Sequence, residues 1–312
     1  MKKSLCFNIE DVKIDLNNLP PHLKELHKEI ELCKELRIPY FLVLTPIFGR
    51  IPKEEFIVRE EKELVPGLKP IRTPVETLAG YEVLLRTNVF NGRNCLEAIA
   101  NLGGTNVLTS GDMDVIENWP LHVESSYTNR NVGIVRVSEL QDKIDGYVVD
   151  DKVFAKTKLK MNEGHGKVLS IDEVLRALEE GLPYHKGSTL STDEDKRGIQ
   201  EISEEDELLL SQPLNLSRDE LGTLEYRTWV VGNRVAIITN YHNPEDFNIP
   251  SRIESFTNDF VRQQSGKLPH SYVLDIGIEH SEKRIVVIEL NDFMSAGGTN
   301  KRVFSEILNY YC

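Results

Sequence analysis

Two apolar runs near the carboxy end constrain this chain most. Residues 272–278 read YVLDIGI, and residues 285–290 read IVVIEL, followed by Asn291. An ionised carboxylate inside a β-rich apolar run is costly to bury unless it is paired or bound to a cation. Side chains alternate along a strand, so Glu289 and Asn291 share a face. If the two runs are antiparallel neighbours, Asp275 lies opposite them. Asp275, Glu289 and Asn291 then form an oxygen-rich donor set suited to a hard divalent cation such as Mg²⁺. Mg²⁺ keeps waters and borrows phosphate oxygens, so a nucleoside triphosphate would complete its shell. The competing reading is a solvated sheet face with ordinary acids.

Composition narrows the partners. The 312 residues carry 37 Lys+Arg against 50 Asp+Glu, a formal net charge of −13. Such an acidic chain repels a phosphate backbone over a broad surface, which argues against nucleic acid and leaves room only for a local basic cleft. No stretch approaches the ~20 apolar residues that span a bilayer. The amino terminus has no apolar run after its two lysines, so it is not read as a secretory signal. Cys6, Cys33, Cys95 and Cys312 are scattered without a CxxC pair, which removes a zinc ribbon and fits reduced thiols in the cytoplasm. The length suggests two domains or one large one.

Periodicity predicts a mixed α and β chain. A helix is expected over 22–37 after Pro21, and a buried strand over 40–44. NCLEAIANL at 94–102 reads as a short helix, and 105–130 as loops. A hairpin is expected from Tyr147–Val149 and Val153–Thr157. Ser170 caps a helix over 171–180, with Glu173 completing a capping box. A strand at 208–210 ends at Pro213. Strands at 225–231 and 234–239 flank a Gly232–Asn233 turn. Helices over 252–263 and 301–311 and a hairpin of 271–278 with 284–290 complete the pattern. The polar, acidic stretch 187–207 reads as a mobile loop.

A second cluster is basic. Lys156 lies in the strand-like VFAKT and Arg227 in EYRTWVV, each with apolar neighbours, and Arg234 follows the turn. Lys158, Lys160 and Lys167 flank the glycine loop NEGHGK. Cations inside apolar strands of an acidic chain point to a phosphate-binding cleft. Arg227 would grip an anion with two donors, and Lys156 would act as a point charge. Lys158 and Lys160 read more simply as surface cations.

The order of these pieces resembles the ATP-grasp superfamily, closest to its R2K branch, marked by two arginines and a lysine. The resemblance runs over about residues 138–300. It takes in FAKT, GHGKV, ELLLSQPL, LEYRTWVVGNRV, DIGI and IELN, with the small residues of NDFMSAGG after the last. It implies an α+β ATP-grasp fold over 138–312, two lobes (about 138–213 and 214–312) clasping ATP. A smaller α/β region over 1–137 would precede it and help form the acceptor site. By the same resemblance Lys156 and Lys167 contact the nucleotide phosphates. The segment 209–213 (Leu209, Leu210, Ser211, Gln212 and Pro213) offers its backbone to adenine. Arg227 and Arg234 hold the γ-phosphate or an acyl-phosphate, and Asp275, Glu289 and Asn291 hold Mg²⁺. The implied activity is ADP-forming ligation of a small-molecule or peptide carboxylate to an amine. Gln212 stands where an acidic residue often holds the ribose, and Asp219 and Glu220 are the nearest alternatives.

Two other classes compete. Lys143-Ile144-Asp145-Gly146 spells the KxDG tetrapeptide in which nucleic-acid ligases form a covalent nucleotide bond, although their later motifs do not follow. The chain could also be a nucleotide-binding module without catalysis. No histidine shows HExxH spacing, so a catalytic zinc site is not expected. Tyr226 and Trp229 read as core or sheet-face residues.

Overall fold

The computed structural model describes residues 2–10, 21–36, 38, 40–45, 57–59, 81–86, 105–106, 123–157, 167–179, 205, 207–293, 296 and 300–311. They form two compact units. The first comprises Met1–Ile116, Arg218–Gly277 and Ile288–Cys312, and the second Glu117–Ser217 with Ile278–Val287.

The first unit holds a five-stranded sheet ordered β3-β2-β1-β4-β5, from β1 (Lys2–Glu10), β2 (Tyr40–Thr45), β3 (Ile57–Arg59), β4 (Tyr81–Arg86) and β5 (Thr105–Asn106). β1 pairs in parallel with both β2 and β4. Helix α1 (Pro21–Leu36) joins β1 to β2, the crossover a parallel pair requires. It follows the expected helix closely and buries Ile30, Leu32 and Cys33. β1, β3 and β4 went unread in the sequence.

The candidate acids lie in a four-stranded sheet ordered β11-β10-β12-β13. Its strands are β10 (Glu225–Val231), β11 (Arg234–Asn240), β12 (Tyr272–Ile278) and β13 (Ile285–Asp292). All four were expected within one or two residues. Gly232 and Asn233 have φ of 57° and 62°, the left-handed pair a tight two-residue hairpin needs. β12 lies between β10 and β13 and is buried at every position, so it reads as a continuous apolar run broken only by Asp275. In the first unit one core joins α1, Leu84 of β4, Trp229, Val273, Phe293 and the last helix, Lys301–Tyr311. Trp229 and Phe293 meet edge to face with centroids 5.4 Å apart. Trp229 and Tyr226 are both buried, as expected.

The second unit is an antiparallel sheet ordered β6-β9-β7-β8, from β6 (Val132–Arg136), β7 (Lys152–Thr157), β8 (Lys167–Ser170) and β9 (Glu207–Ser211). Val135, Val153, Ala155, Leu208 and Leu210 build its core with Leu140, Ile144 and Val174. The hairpin expected at 147–157 is only half present. Residues Ile144–Tyr147 form a 3₁₀ turn, and Val149 makes a single bridge to Lys152. The Asp150–Asp151 turn closes the chain before a second strand extends, both residues having positive φ. The helix Ile171–Glu179 starts as expected: Glu173 Oε2 accepts from the Ser170 N–H at 2.8 Å, and Ser170 Oγ accepts from the Glu173 N–H at 3.3 Å. The expected helix at 94–102 and most of the loop at 187–207 lie outside the described residues. No described helix is long and apolar enough to cross a membrane.

Candidate functional site

Strand pairing brings Arg227 and Asp275 together. They occupy opposite positions of β10 and β12. Arg227 donates Nε to Asp275 Oδ1 at 2.8 Å and Nη2 to Oδ2 at 2.7 Å, a two-pronged fork. Asp275 is only 2% exposed. Burial works against the Arg227 charge, but the hydrogen bond to Asp275 and its negative charge outweigh that, so the arginine pKa is raised and the side chain stays cationic. The Tyr241 ring lies 4.7 Å from the Arg227 guanidinium and braces its other side.

Asn291 completes the group. Its amide donates to Asp275 Oδ2 at 2.8 Å and to Glu289 Oε1 at 3.2 Å. Of the three residues read from the sequence as one donor set, Asn291 thus stands within hydrogen-bond reach of both acids. Their chemistry fits a cation that needs few protein ligands. Turning the Asn291 amide by half a revolution would put Oδ1 beside two carboxylates, leaving the remaining positions to water and phosphate. Among the described residues no three His, Cys, Asp or Glu side chains converge as a metal cage, and this site offers two acids and an amide.

The other candidates lie further off. Arg234 opens β11 opposite Val231 and is exposed. It stands four strand positions from Arg227, roughly 13 Å at the usual rise. Lys156 and Lys167 belong to the second unit, on β7 opposite Leu209 and on β8 opposite Ala155. Leu209, Leu210 and Ser211 lie in β9, which pairs with β6 on one side and β7 on the other. Gln212 follows; its N–H donates to the Asn131 carbonyl at 3.1 Å, and its Oε1 accepts the Asn131 N–H at 3.0 Å. Asp219 Oδ1 accepts the N–H groups of Leu221 and Gly222, capping a turn, and Glu220 is exposed in that turn. The glycine loop, with Lys158, Lys160 and His165, lies outside the described residues.

The second unit also holds a cavity of about 370 Å³ lined by Arg130, Asn131, Lys143 and Tyr147 among others; of the residues read from the sequence it takes in Lys143 and Gly146 of the KxDG tetrapeptide and none of those assigned to ATP or Mg²⁺. Lys143 sits on a short helix, Leu140–Lys143, and donates to Glu139 Oε2 at 2.8 Å, which lowers the Glu139 pKa.

Sequence reasoning missed Tyr241, Arg86 and Glu29. Tyr241 has a readable signal, since it follows the strand that the hairpin turn lays beside Arg227. Arg86 and Glu29 have none, because only the packed core brings β4 and α1 to the end of β13.

Residues 184–305 match the family model described as ATP-grasp domain, R2K clade family 2. No curated protein matches the chain in sequence. Among solved structures, the chain is similar to the D-alanine-D-alanine ligase from Coxiella burnetii, with a TM-score of 0.61 and 9% identity over 99% of this chain and 94% of that one. It is also similar to the RimK domain protein ATP-grasp from Sphaerobacter thermophilus, with a TM-score of 0.54 and 11% identity over 99% of both chains. A third likeness, to the Bacillus anthracis D-alanine--D-alanine ligase complexed with ATP, has a TM-score of 0.52 and 10% identity over 99% of this chain and 97% of that one. The chain therefore has the ATP-grasp fold, and over residues 184–305 its sequence matches the R2K clade of that superfamily.

Proposed function

We propose that this chain is a cytoplasmic ligase that uses ATP and Mg²⁺ to join a carboxylate to an amine or similar nucleophile and releases ADP. The observation that carries the reading is the cluster of Asp275, Glu289 and Asn291 beside Arg227, in a fold it shares with D-alanine-D-alanine ligases. An oxygen of the substrate carboxylate would attack the γ-phosphorus, and the bond to the β–γ bridging oxygen would break to release ADP. The amine nitrogen would then attack the acyl carbon, the acyl–phosphate bond would break, and phosphate would leave as the amine loses its proton. Such chemistry needs charge neutralisation and alignment rather than a protein nucleophile.

Each residue has a part in this reading. Asp275, Glu289 and Asn291 hold Mg²⁺, which when bound neutralises the phosphate oxygens. Arg227 steadies Asp275 and presents a fixed cation to the transferred phosphoryl group. Arg234 is the second arginine at the acyl-phosphate. Lys156 and Lys167 bind the phosphates, and of the segment 209–213 the end past the paired strand, at Gln212 and Pro213, meets adenine, since the backbone of 209–211 pairs with β6 and β7. The lobes at about 138–213 and 214–312 clasp ATP, and the region before them lines the acceptor site. The acid and the amine are small molecules or peptide ends.

The nucleotidyl-lysine reading finds less support. A nucleophilic lysine must be free to reach the phosphorus, whereas Lys143 is paired with the Glu139 carboxylate at 2.8 Å. The test is an ADP-release assay over pooled acids and amines, paired with thermal melts with ATP and Mg²⁺. ADP release that needs both an acid and an amine, and vanishes in Glu289→Ala, supports the ligase. Pyrophosphate release with AMP on Lys143, or a raised melting temperature without turnover, would replace it.

A further inference from the structure

Arg86 ends β4 and is 4% exposed, an unusual place for a cation. Its guanidinium donates Nε to Glu29 Oε2 and Nη2 to Glu29 Oε1, both at 2.9 Å. The same fork donates Nη1 to the Phe293 carbonyl and Nη2 to the Ala296 carbonyl, the latter at 3.0 Å. It lies 5.4 Å from the centroid of the Trp229 ring and 6.0 Å from that of Phe293. A buried ion pair of this kind is seldom more stabilising than apolar residues of similar volume. What a guanidinium adds over an apolar group is direction, because its donors lie fixed in one plane.

That direction matters at this place. Phe293 stands two residues beyond Asn291, the residue whose amide bridges Asp275 and Glu289. Two carbonyls three residues apart, tied to one planar cation, pin the chain at Phe293 and at Ala296. Trp229, under the same cation, is two residues from Arg227 on β10. Both sides of the candidate metal site thus rest on one buried arginine that helix α1 holds through Glu29.

We propose that Arg86, with Glu29 as its anchor, is a positioning residue for the metal site: it sets the chain beyond Asn291 so that the amide stays across both carboxylates. The proposal rests on the assignment of Asp275, Glu289 and Asn291 as Mg²⁺ ligands. Groups that orient metal ligands in this way typically cost about 10–100-fold in metal affinity when removed.

Calorimetric titration of the full chain with ATP, in Mg²⁺ and again in EDTA, tests it without relying on turnover. Wild type should bind ATP more tightly with Mg²⁺. Arg86→Met should lose about tenfold or more of that metal-dependent gain while metal-free ATP binding changes less than about twofold. Arg86→Lys, which keeps the charge but not the planar fork, should recover only part of the gain. Leu84→Ala is the control for simple loss of packing, since Leu84 lies two residues away in the same core and is fully buried. It should lower stability yet keep the gain. If Arg86→Met fails to fold by circular dichroism, Glu29→Gln decides, because it keeps the shape and removes the anchoring charge. The proposal is overturned if Arg86→Met, or Glu29→Gln in its place, keeps the wild-type gain, or if Leu84→Ala loses as much. A wild-type protein with no metal-dependent gain would overturn the metal assignment itself, and the positioning role with it.

Discussion

Arg227 and Asp275 face each other across β10 and β12 and share two hydrogen bonds, at 2.8 and 2.7 Å. The pair explains how a carboxylate sits in the middle of a fully buried strand. The guanidinium supplies the opposite charge and both donors at once, and Asn291 supplies a third donor to Oδ2. Three donors thus meet the two oxygens of the buried acid, which offsets the cost of its burial.

Removing one partner of this pair should be costly. Arg227→Met leaves Asp275 charged in a dry strand, and a loss of about 3–5 kcal/mol is expected. Adding Asp275→Leu should restore most of it, because the uncompensated charge is gone. Urea unfolding midpoints at unchanged slope measure both. A single variant as stable as wild type would show that the strand tolerates the bare acid.

Alkaline pH should destabilise the fold through its tyrosines. Burial raises the pKa of Tyr272, and it also raises those of Tyr226 and Tyr241. Above about pH 10 the unfolded phenols lose protons that the folded state keeps, so the unfolded chain binds fewer protons and stability falls as pH rises. Urea melts from pH 8 to 11 should show this fall, and Tyr272→Phe should flatten it. An equally steep fall in that variant would assign the effect to other groups.

Gly133 marks a close approach in β6. A Cβ there would overlap the Tyr147 hydroxyl and lie 3.1 Å from Cζ of the same ring. Gly133→Ala should therefore cost about 1–3 kcal/mol by overpacking. In a Tyr147→Phe background, which removes the overlapping hydroxyl, the cost should shrink to well under half. A double-mutant cycle read from denaturation midpoints measures the coupling; additive effects would place the strain elsewhere.

The cap at Ser170 gives a smaller effect. Ser170→Ala should destabilise by about 0.5–2 kcal/mol, since it removes the acceptor for the Glu173 N–H. Thermal melts compared with Ser170→Asp, which keeps an acceptor, test this. Equal losses in the two variants would argue that the cap bond contributes nothing.

Local signals were legible where short-range physics decides the structure. The Gly232–Asn233 turn, the capping box at Ser170 and Glu173, and the apolar runs of β12 and β13 each specify their element within a few residues. The strand interior carrying Asp275 announced a partner, met by Arg227 and Asn291, because a buried charge demands one. The first arm of the expected hairpin at 147–157 was misread because Tyr147 closes a 3₁₀ turn and only Val149 bridges to Lys152. β1 and β4 were not recognised because polar residues interrupt them without a strict alternation, whereas β2, parallel to β1, is an almost unbroken apolar run.

Sequence by itself determined the donor types, their strand spacing and the order of elements that matches the R2K clade. Tertiary structure decided which partners they meet. A shift of register between Trp229 and Val230 sets Thr239 opposite Arg227, where counting back from a two-residue turn gives Ile238. Such a one-residue slip moves a strand's side chains to the other face, so it cannot be read from composition. The contact of Arg86 with Glu29 and the chain past Asn291 spans 57 and more than 200 residues. No local propensity encodes a meeting over that separation; it exists only because one hydrophobic core gathers β4, α1 and the end of β13 together.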